Sequence, residues 1–357
     1  MTEQKKIAVV CNYALNPRRI GGMDRFYVAY DKRAKQLGYE VDWYFLDYPP
    51  FDFFSGLIIF SANNTNMESF FLEKVHQERL KYDILVTHFL ALCTSFFKKA
   101  KAAGIQQTIV VDHNPRPLKG FPFSKIVKNK IKGILYSQYI DQFIGVSEYT
   151  HEHILKDYGF FLAKKTSVIY NGIDTSVFVK RTKENSNTFV VSSHLRHSKG
   201  IQDLIRAVSI LEDAVKSQIQ IDVYGEGPYE SELLEMTKAN NLEGIIHFKG
   251  GSSQLNELLS NYRYLLQPTY MECFSLSILE SLAANVPVIT TTVGGNLEII
   301  EDGKNGFIFE PKDWTALAGI LKSIVLGNMK IDKDVSEQIE KDFNLEKMVE
   351  EHIGLLG

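Results

Sequence analysis

Residues 264–292, YLLQPTYMECFSLSILESLAANVPVITTT, contain two short apolar runs separated by a loop and a helical pattern. Leu276, Leu279 and Leu282 recur at the spacing of one helix face. The flanking runs YLLQP and PVITTT have the length and composition of buried strands. A strand, a helix and a second strand in this order predict a βαβ unit, in which the two strands are parallel.

The same alternation continues in both directions along the chain. The predicted strands are residues 7–12, 41–46, 84–89, 108–113, 143–147 and 167–172, followed by 189–195, 219–225, 245–250, 264–268, 287–292 and 306–310. Helical patterns lie between them, for example at 25–37, 200–214, 230–240, 275–284 and 313–325. Two series of alternating strands and helices predict an α/β protein with two Rossmann-like, doubly wound domains.

A length of 357 residues fits two domains at roughly 150 residues each. We predict an N-terminal domain at 1–172, a polar linker at 173–187 and a C-terminal domain at 188–342. We expect the amphipathic helix in residues 343–357 to pack back on the N-terminal domain. Because ligands of parallel sheets bind beyond the carboxyl ends of the strands, we expect the site in a cleft between the domains.

The composition is that of an ordinary globular protein, with 45% hydrophobic and 23% charged residues. It excludes a disordered chain, a collagen-like chain and a coiled-coil rod. Cys11, Cys93 and Cys273 are too few and too scattered for a disulfide framework, which favours a reducing, cytoplasmic compartment. The N-terminus lacks the apolar stretch of a signal peptide, and no apolar run reaches 18 residues.

Charge is distributed unevenly between the two halves of the chain. Residues 1–170 carry 23 Lys and Arg against 16 Asp and Glu, whereas residues 171–357 carry 17 against 27. A basic first half favours an anionic acceptor or a membrane surface, although an uneven split also arises by chance. The sequence shows no nucleic-acid-binding motif, no zinc spacing and no Walker loop, so we expect no nucleic acid partner and no metal.

Two carboxylates, Glu272 and Glu280, flank the predicted strand–loop–helix junction with seven residues between them. Backbone N–H groups at the start of a helix form an anion site suited to a diphosphate, here around Phe274, Ser275 and Leu276. A carboxylate one turn into the helix could accept both hydroxyls of a ribose. The structural alternative for Glu280 is a capping box with the serine three residues before it.

This segment resembles the retaining glycosyltransferases of the family 4 type, whose signature is two glutamates separated by seven residues. The matching positions are Glu272, Glu280, Pro268, residues 274–276, 284–289, Gly294–Glu298 and 302–306. The resemblance implies the GT-B fold and transfer of a hexose from a nucleoside diphosphate sugar to a hydroxyl. It also implies that the anomeric configuration is retained, without a metal or other cofactor. By this resemblance Glu280 binds the ribose and Glu272 lies near the donor sugar.

Arg196 and Lys199 follow a predicted strand and could neutralise a leaving diphosphate. The family usually has arginine where His194 stands, but some relatives carry it three residues before the lysine. We therefore assign the arginine role to Arg196. The structural alternative is a solvated charged turn.

Two glycine turns are further donor-binding candidates. Gly225 and Gly227 follow a strand, and Gly21 and Gly22 precede a helix, where the absence of a side chain lets the backbone approach a ligand. The resemblance implies donor contacts for both turns, and the alternative is an ordinary turn or flexible loop.

His113 ends a predicted strand, and the resemblance implies that it lies near the donor sugar and the β-phosphate. A histidine at the end of a strand is more often structural, and His88 is a weaker candidate for the same reason. The predicted catalytic residues are therefore Glu272, His113, Arg196 and Lys199.

Residues 118–139 carry five lysines interleaved with apolar residues, typical of a surface that rests on anionic lipid. These lysines are Lys119, Lys125, Lys128, Lys130 and Lys132. The alternative is a solvated helix face. If lipid binds there, we expect a cytoplasmic protein peripheral to the inner face of the cell membrane.

The predicted substrates are a nucleoside diphosphate hexose, with UDP favoured over GDP, and a glycan, lipid-linked or cell-envelope acceptor. The alternative function is a catalytically silent subunit that uses the same fold to bind a glycan or a second transferase.

Overall fold

The computed structural model describes residues 4–17, 20–183 and 187–357, which divide into two compact units. Of the described residues, the first unit comprises 4–17, 20–115, 119–172 and 345–357, and the second comprises 116–118, 173–183 and 187–344. The predicted linker at 173–187 falls within the second unit, and its residues 184–186 lie outside the described residues. Residues 1–3 of the predicted N-terminal domain also lie outside them.

In the described part of the first unit, a parallel sheet is flanked by helices. Its strands are β1 (Lys6–Ala14), β2 (Glu40–Asp47), β3 (Ile58–Ser61), β4 (Ile84–His88), β5 (Gln107–Asp112), β6 (Gln142–Gly145) and β7 (Thr166–Val168). Its first helices are α1 (Gly22–Gln36), α2 (Met67–Gln77), α3 (Ser95–Ala102), α4 (Phe123–Tyr136) and α5 (Glu148–Tyr158). The strand order is β3-β2-β1-β4-β5-β6-β7, so the direction of winding reverses between β1 and β4.

The second unit repeats this plan. Its described strands are β8 (Thr188–Ser192), β9 (Gln220–Tyr224), β10 (Ile246–Gly250), β11 (Tyr264–Gln267), β12 (Val288–Thr291) and β13 (Gly306–Phe309). Its helices are α6 (Ile201–Ser209), α7 (Asp213–Lys216), α8 (Glu230–Ala239), α9 (Leu255–Leu258), α10 (Leu276–Ala283), α11 (Asn296–Ile299), α12 (Trp314–Val325) and α13 (Glu337–Asp342). The strand order is β10-β9-β8-β11-β12-β13, and the reversal lies between β8 and β11.

The prediction of two parallel α/β domains is confirmed. Each of the twelve predicted strand segments contains an observed strand, and β3 is an additional edge strand that sequence analysis missed. The central strands are buried on both faces, as in β4, which explains their nearly continuous apolar sequence. None of the described helices combines the length and the apolar character that crossing a bilayer requires.

The last helix, α14 (Leu345–Ile353), belongs to the first unit, where it packs on α1. Arg33 donates to the carboxylate of Glu350 at 2.6 Å, and Gln107 donates to the carbonyl of Leu355 at 2.7 Å. The ring of His352 lies 5.0 Å from that of Phe26. The end of the chain therefore forms part of the core of the first unit.

Three histidines meet in that core. The Nδ1 atom of His88 lies 3.0 Å from the Nε2 atom of His113, and His352 lies 6.0 Å from His88 between ring centres. Burial, and secondly the repulsion that a protonated His352 would exert, lowers the pKa of His113 to about 3. Burial alone lowers the pKa of His352 to about 3, and burial with both neighbours lowers the pKa of His88. All three side chains are therefore neutral near pH 7.

Helix α4 approaches α5 through Gly133. A Cβ atom at this position would lie 2.3 Å from the backbone carbonyl oxygen of Tyr158, closer than any real contact. The glycine is therefore required by packing, since its φ angle is an ordinary helical one.

We expect Gly133→Ala to lower the free energy of unfolding by about 1–3 kcal/mol, because the helices must separate to admit the methyl group. The matched control is Gly319→Ala in α12, where a Cβ atom meets nothing within 4 Å. That change should raise stability by about 0.5–1 kcal/mol through helix propensity. Chemical denaturation of both variants measures the difference, and equal effects would contradict the packing argument.

We expect the histidine cluster to make stability depend on pH. A histidine with a folded pKa of about 3 and an ordinary value of 6.5 binds a proton more readily in the unfolded chain. The contribution of such a histidine to the free energy of unfolding is complete above pH 6.5 and falls as the pH drops towards 3. His352→Leu should remove about 1.4 kcal/mol per pH unit of this slope.

Denaturant unfolding between pH 5 and pH 7 measures that slope. The matched control is His76→Leu, because His76 is exposed on α2 and should leave the slope unchanged. Identical slopes for wild type and His352→Leu would show that the buried histidines do not set the acid sensitivity.

Candidate functional site

The main cluster of candidate residues lies where the second sheet reverses its winding. The loops after β8 and β11 leave neighbouring strands at the carboxyl edge, the usual ligand position in open parallel sheets. The first loop carries Arg196 and Lys199, and the second carries Glu272. Parallel topology therefore brings together charged residues that are more than 70 positions apart in sequence.

Lys199 and Glu272 form an ion pair across these two loops. The Nζ atom of Lys199 donates to Oε2 of Glu272 at 2.8 Å, and both side chains are largely buried. The other carboxylate oxygen of Glu272 accepts the N–H of Cys273 at 3.3 Å. Arg196 is exposed beside them, and no described residue pairs with its guanidinium group. The site thus presents one cation held by a carboxylate and one facing solvent.

Four glycines allow the surrounding loops to touch backbone to backbone. A Cβ atom on Gly200 would lie 1.7 Å from the carbonyl oxygen of Pro268, and one on Gly294 would lie 2.1 Å from that of Glu272. Cβ atoms on Gly225 and Gly227 would lie 1.8 and 2.3 Å from carbonyl oxygens of the loop after β8. The predicted ligand-binding glycines 225 and 227 therefore have a packing role that sequence analysis did not anticipate.

Helix α10 begins at the base of this cluster. Ser275 is its N-cap, and its buried hydroxyl accepts the N–H of Ile278 at 3.4 Å. Ser277 is already inside the helix, so the alternative of a capping box between it and Glu280 is wrong. Glu280 lies one turn in and is half-buried. Glu280 therefore lies about one turn along the same helix from the first N–H groups of α10.

The other residues predicted near this helix start are placed as follows. The Phe274 side chain is buried and packs 5.4 Å from the ring of Phe343, so only its backbone can serve a ligand. Leu276 is the first helical residue and is partly exposed.

A buried polar network beneath the site was missed by sequence analysis. Thr290 donates to Gln267, with its Oγ1 atom 3.0 Å from Oε1, and Asn296 donates to Thr290 at 3.0 Å. The side-chain amide of Gln267 also bonds the hydroxyl of Ser275. The network links β11 and β12 to the start of α10. Its only sequence signal is a glutamine at the end of the otherwise apolar strand YLLQ.

A second buried network fixes the loop that carries Lys199. The N–H of Tyr270 donates to the carbonyl of Ser198 at 2.7 Å, and its hydroxyl bonds Asp203 and Gln202 on α6. Burial, with the bond to Asp203, raises the pKa of the Tyr270 phenol, so it remains protonated. These bonds hold the cation-bearing loop against the loop after β11.

The candidates in the first unit lie at the carboxyl edge of its own sheet. The N–H of Gly21 donates to the carboxylate of Asp24 at 2.7 Å, so this amide already has a partner within α1. Gly22 is the first residue of that helix. The anion contact predicted for the glycine pair therefore competes with a buried carboxylate at Gly21.

His113 and His88 end or follow neighbouring strands and contact each other, as described above. The ring of Phe89 stacks on His113 with 4.3 Å between ring centres, and Phe89 has a φ angle of +60°. A bulky residue in this left-handed region is strained, and such strain often accompanies a functional site. Sequence analysis placed both histidines at strand ends but did not detect their contact.

No group of three or more His, Cys, Asp or Glu side chains suited to a metal ion occurs within residues 4–17, 20–183 and 187–357. Asp332, in the one Asp-x-Asp motif, pairs with Lys330 at 2.7 Å.

Two family descriptions match nearly the whole chain in succession. Residues 20–177 match "Glycosyltransferase Family 4", and residues 173–342 match "Glycosyl transferases group 1". A curated relative, N-acetyl-alpha-D-glucosaminyl L-malate synthase of Bacillus anthracis, is 28% identical over 203 residues. That alignment covers 53% of this chain, and the chain spans about half (52%) of the relative's length.

Solved structures share the fold over nearly their full length. Anabaena HepE in complex with UDP and glucose has a TM-score of 0.78 at 16% identity, covering 99% of both chains. Sucrose-phosphate synthase from Thermosynechococcus elongatus has a TM-score of 0.79 at 17% identity, covering 99% of this chain and 98% of that chain. At such low identity the likeness shows the fold, which is the GT-B fold that the resemblance predicted. The two family matches together span residues 20–342, and they show that the chain belongs to the family 4, group 1 glycosyltransferases.

Proposed function

We propose that the protein is a retaining, metal-independent hexosyltransferase. It takes a nucleoside diphosphate hexose and transfers the sugar to a hydroxyl of a glycan, lipid-linked or cell-envelope acceptor. The observation that carries this proposal is the Lys199–Glu272 pair at the winding reversal of the second sheet, beside the start of α10. UDP is the favoured nucleotide, supported by the HepE complex with UDP and glucose.

The leaving diphosphate needs positive charge, and the chain offers three sources close together in the fold. Lys199 supplies a point charge, Arg196 a planar fork, and α10 the positive end of its dipole, where Ser275 already caps the N–H of Ile278. Donors fixed before the reaction stabilise developing charge without reorganisation. These groups together are proposed to take the part that a metal ion takes in other transferases.

Diphosphate binding would change the partner of Lys199. In the structure its ammonium group is held by Glu272, and the arriving donor diphosphate, with one negative charge on each phosphate, offers a competing anionic partner. We propose that Lys199 then bonds the phosphate, while Glu272 faces the sugar and supports the positive charge that develops at the anomeric carbon. Glu280 anchors the ribose through its carboxylate.

The bond changes proposed are those of a front-face substitution. The acceptor oxygen bonds the anomeric carbon on the side from which the diphosphate departs, and the diphosphate takes the acceptor proton. This route retains the configuration and needs no enzyme nucleophile. His113, neutral and held by His88, is proposed to orient the donor sugar, with Gly21 and Gly22 near the phosphates.

We expect UDP or a UDP-hexose to raise the melting temperature of the protein, with the same shift in EDTA and in Mg²⁺. Ligand at 100 times its dissociation constant stabilises the folded state by about 2.7 kcal/mol. Glu280→Ala should abolish the shift, whereas Glu235→Ala on the exposed side of α8 should keep it. A thermal-shift panel of UDP, GDP, ADP and their hexose conjugates makes the measurement.

If no nucleotide shifts the melting temperature, the proposal fails and the catalytically silent subunit becomes the better description. A shift that appears only with Mg²⁺ would instead contradict the metal-independent part alone.

We expect slow hydrolysis of the donor, without acceptor, to release the hexose first as the anomer present in the donor. Proton NMR resolves the two anomers before they equilibrate. Lys199→Met should slow this release by about 10²–10³-fold, because a fixed donor to the leaving group is lost. Lys238→Met, an exposed lysine on α8, is the control and should change nothing. Initial release of the opposite anomer would show inversion and overturn the retaining mechanism.

A further inference from the structure

Helix α4 exposes an apolar surface that the first unit does not cover. Five of its large apolar side chains are exposed, among them Phe123 at 82% and Ile134 at 67%. The complete set, here called the α4 stripe, is Phe123, Val127, Ile131, Ile134 and Leu135. Large apolar groups exposed together on one element mark an interaction surface more often than isolated ones do.

The stripe faces away from the body of the unit. From Phe123 to Ile134 its members are spaced by three or four residues, and Leu135 adjoins Ile134. At 100° per residue all five fall within an arc of about 120° on one side of the helix. The buried residues of α4 are Asn129 and Gly133, which project on the other side, where Gly133 meets Tyr158. Burial of α4 in the fold therefore uses one face and leaves the stripe on the opposite face.

Positive charge borders the stripe. Residues 119–139 contain five lysines and no Asp or Glu. By helical position, Lys128 and Lys130 lie on the two edges of the stripe, and both are exposed. Lys132 lies nearer the body of the unit, where its charge acts on Glu68. An apolar stripe flanked by lysines on both edges is the pattern of a helix that lies in the plane of an anionic bilayer.

The charge pattern also selects among possible occupants. A second copy of the chain docking by the same stripe would place lysine rows against each other, with no acid between residues 119 and 139 to compensate. An anionic lipid surface compensates every lysine and accepts the apolar side chains below the headgroups. Phe160 and Phe161 are two further exposed aromatic residues. They closely follow Tyr158, whose backbone packs against Gly133 of α4.

We propose that the α4 stripe docks this protein on an anionic lipid surface, with the helix parallel to the membrane plane. The lysines attract anionic headgroups, and the stripe enters the boundary between headgroups and acyl chains. The proposal is independent of the donor chemistry, because it concerns binding to lipid with no nucleotide present.

The test is co-sedimentation of the full-length protein with vesicles. Vesicles of equal parts phosphatidylglycerol and phosphatidylcholine are compared with vesicles of phosphatidylcholine alone, at low and at high salt. We expect binding to the anionic vesicles only, weakened by salt because surface charges are screened. No sedimentation with anionic vesicles, or equal binding to both kinds, would overturn the proposal.

Two double variants separate the apolar and the charged contributions. Ile131→Ser/Ile134→Ser should reduce the vesicle partition coefficient at least tenfold. Lys128→Gln/Lys130→Gln should reduce it on the order of thirty-fold. The matched controls are Leu234→Ser/Leu326→Ser and Lys238→Gln/Lys333→Gln, exposed positions in the second unit, which should leave binding unchanged.

Two measurements keep the outcome decisive. Circular dichroism and the UDP thermal shift must match wild type in each variant, so that a loss of vesicle binding is not a loss of fold. Light scattering of the lipid-free protein reports its oligomeric state. The proposal is overturned if wild type forms oligomers and binds no lipid, while Ile131→Ser/Ile134→Ser forms no oligomers. That result would show that the stripe binds a second copy of the chain.

Discussion

Backbone-to-backbone contact between loops at the carboxyl edge of the second sheet is the constraint on which the candidate site depends. At Gly200, Gly225, Gly227 and Gly294 a Cβ atom would fall within 2.3 Å of a carbonyl oxygen of the neighbouring loop. A side chain at any of them would force the loops apart by an ångström or more. The 2.8 Å bond between Lys199 and Glu272, which joins two of these loops, tolerates no such separation. Backbone packing therefore sets the side-chain geometry on which binding is proposed to depend.

The buried polar networks hold this arrangement from below. Gln267, Thr290 and Asn296 connect two strands to the start of α10, and Tyr270 connects the loop after β11 to α6. Each of these groups is removed from water and hydrogen-bonded, so displacing one would leave a partner unsatisfied at a cost of about 1–3 kcal/mol. Loops fixed in this way pay little ordering entropy when a ligand arrives, which favours a preorganised electrostatic site.

Sequence analysis located the strands, the two units and the charged loops because each leaves a local pattern. Apolar runs predicted twelve strands, but β3 was missed, because its run of four residues is short and lies beside a phenylalanine-rich segment. Ser277 was considered as a cap from spacing alone, whereas the N-cap of the helix lies two residues earlier, at Ser275. The contact between His88 and His113 and the role of Gln267 depend on neighbouring strands, and one-dimensional spacing carries no signal for either.

Net charge and local charge lead to different conclusions about where anions bind. Residues 171–357 carry ten more acidic than basic residues, yet Lys199 and Arg196 stand together at the winding reversal of their sheet. At physiological ionic strength exposed charges are screened beyond about 8 Å, so a bound diphosphate responds to its immediate neighbours and not to the distant acidic surface. The surface potential of an anionic bilayer falls off over the same distance, so a bilayer also responds to the residues that touch it. For the α4 stripe those residues include the exposed lysines on its two edges, Lys128 and Lys130. The proposed donor binding and the proposed lipid binding therefore each depend on a local group of cations, and the net charge of each half decides neither.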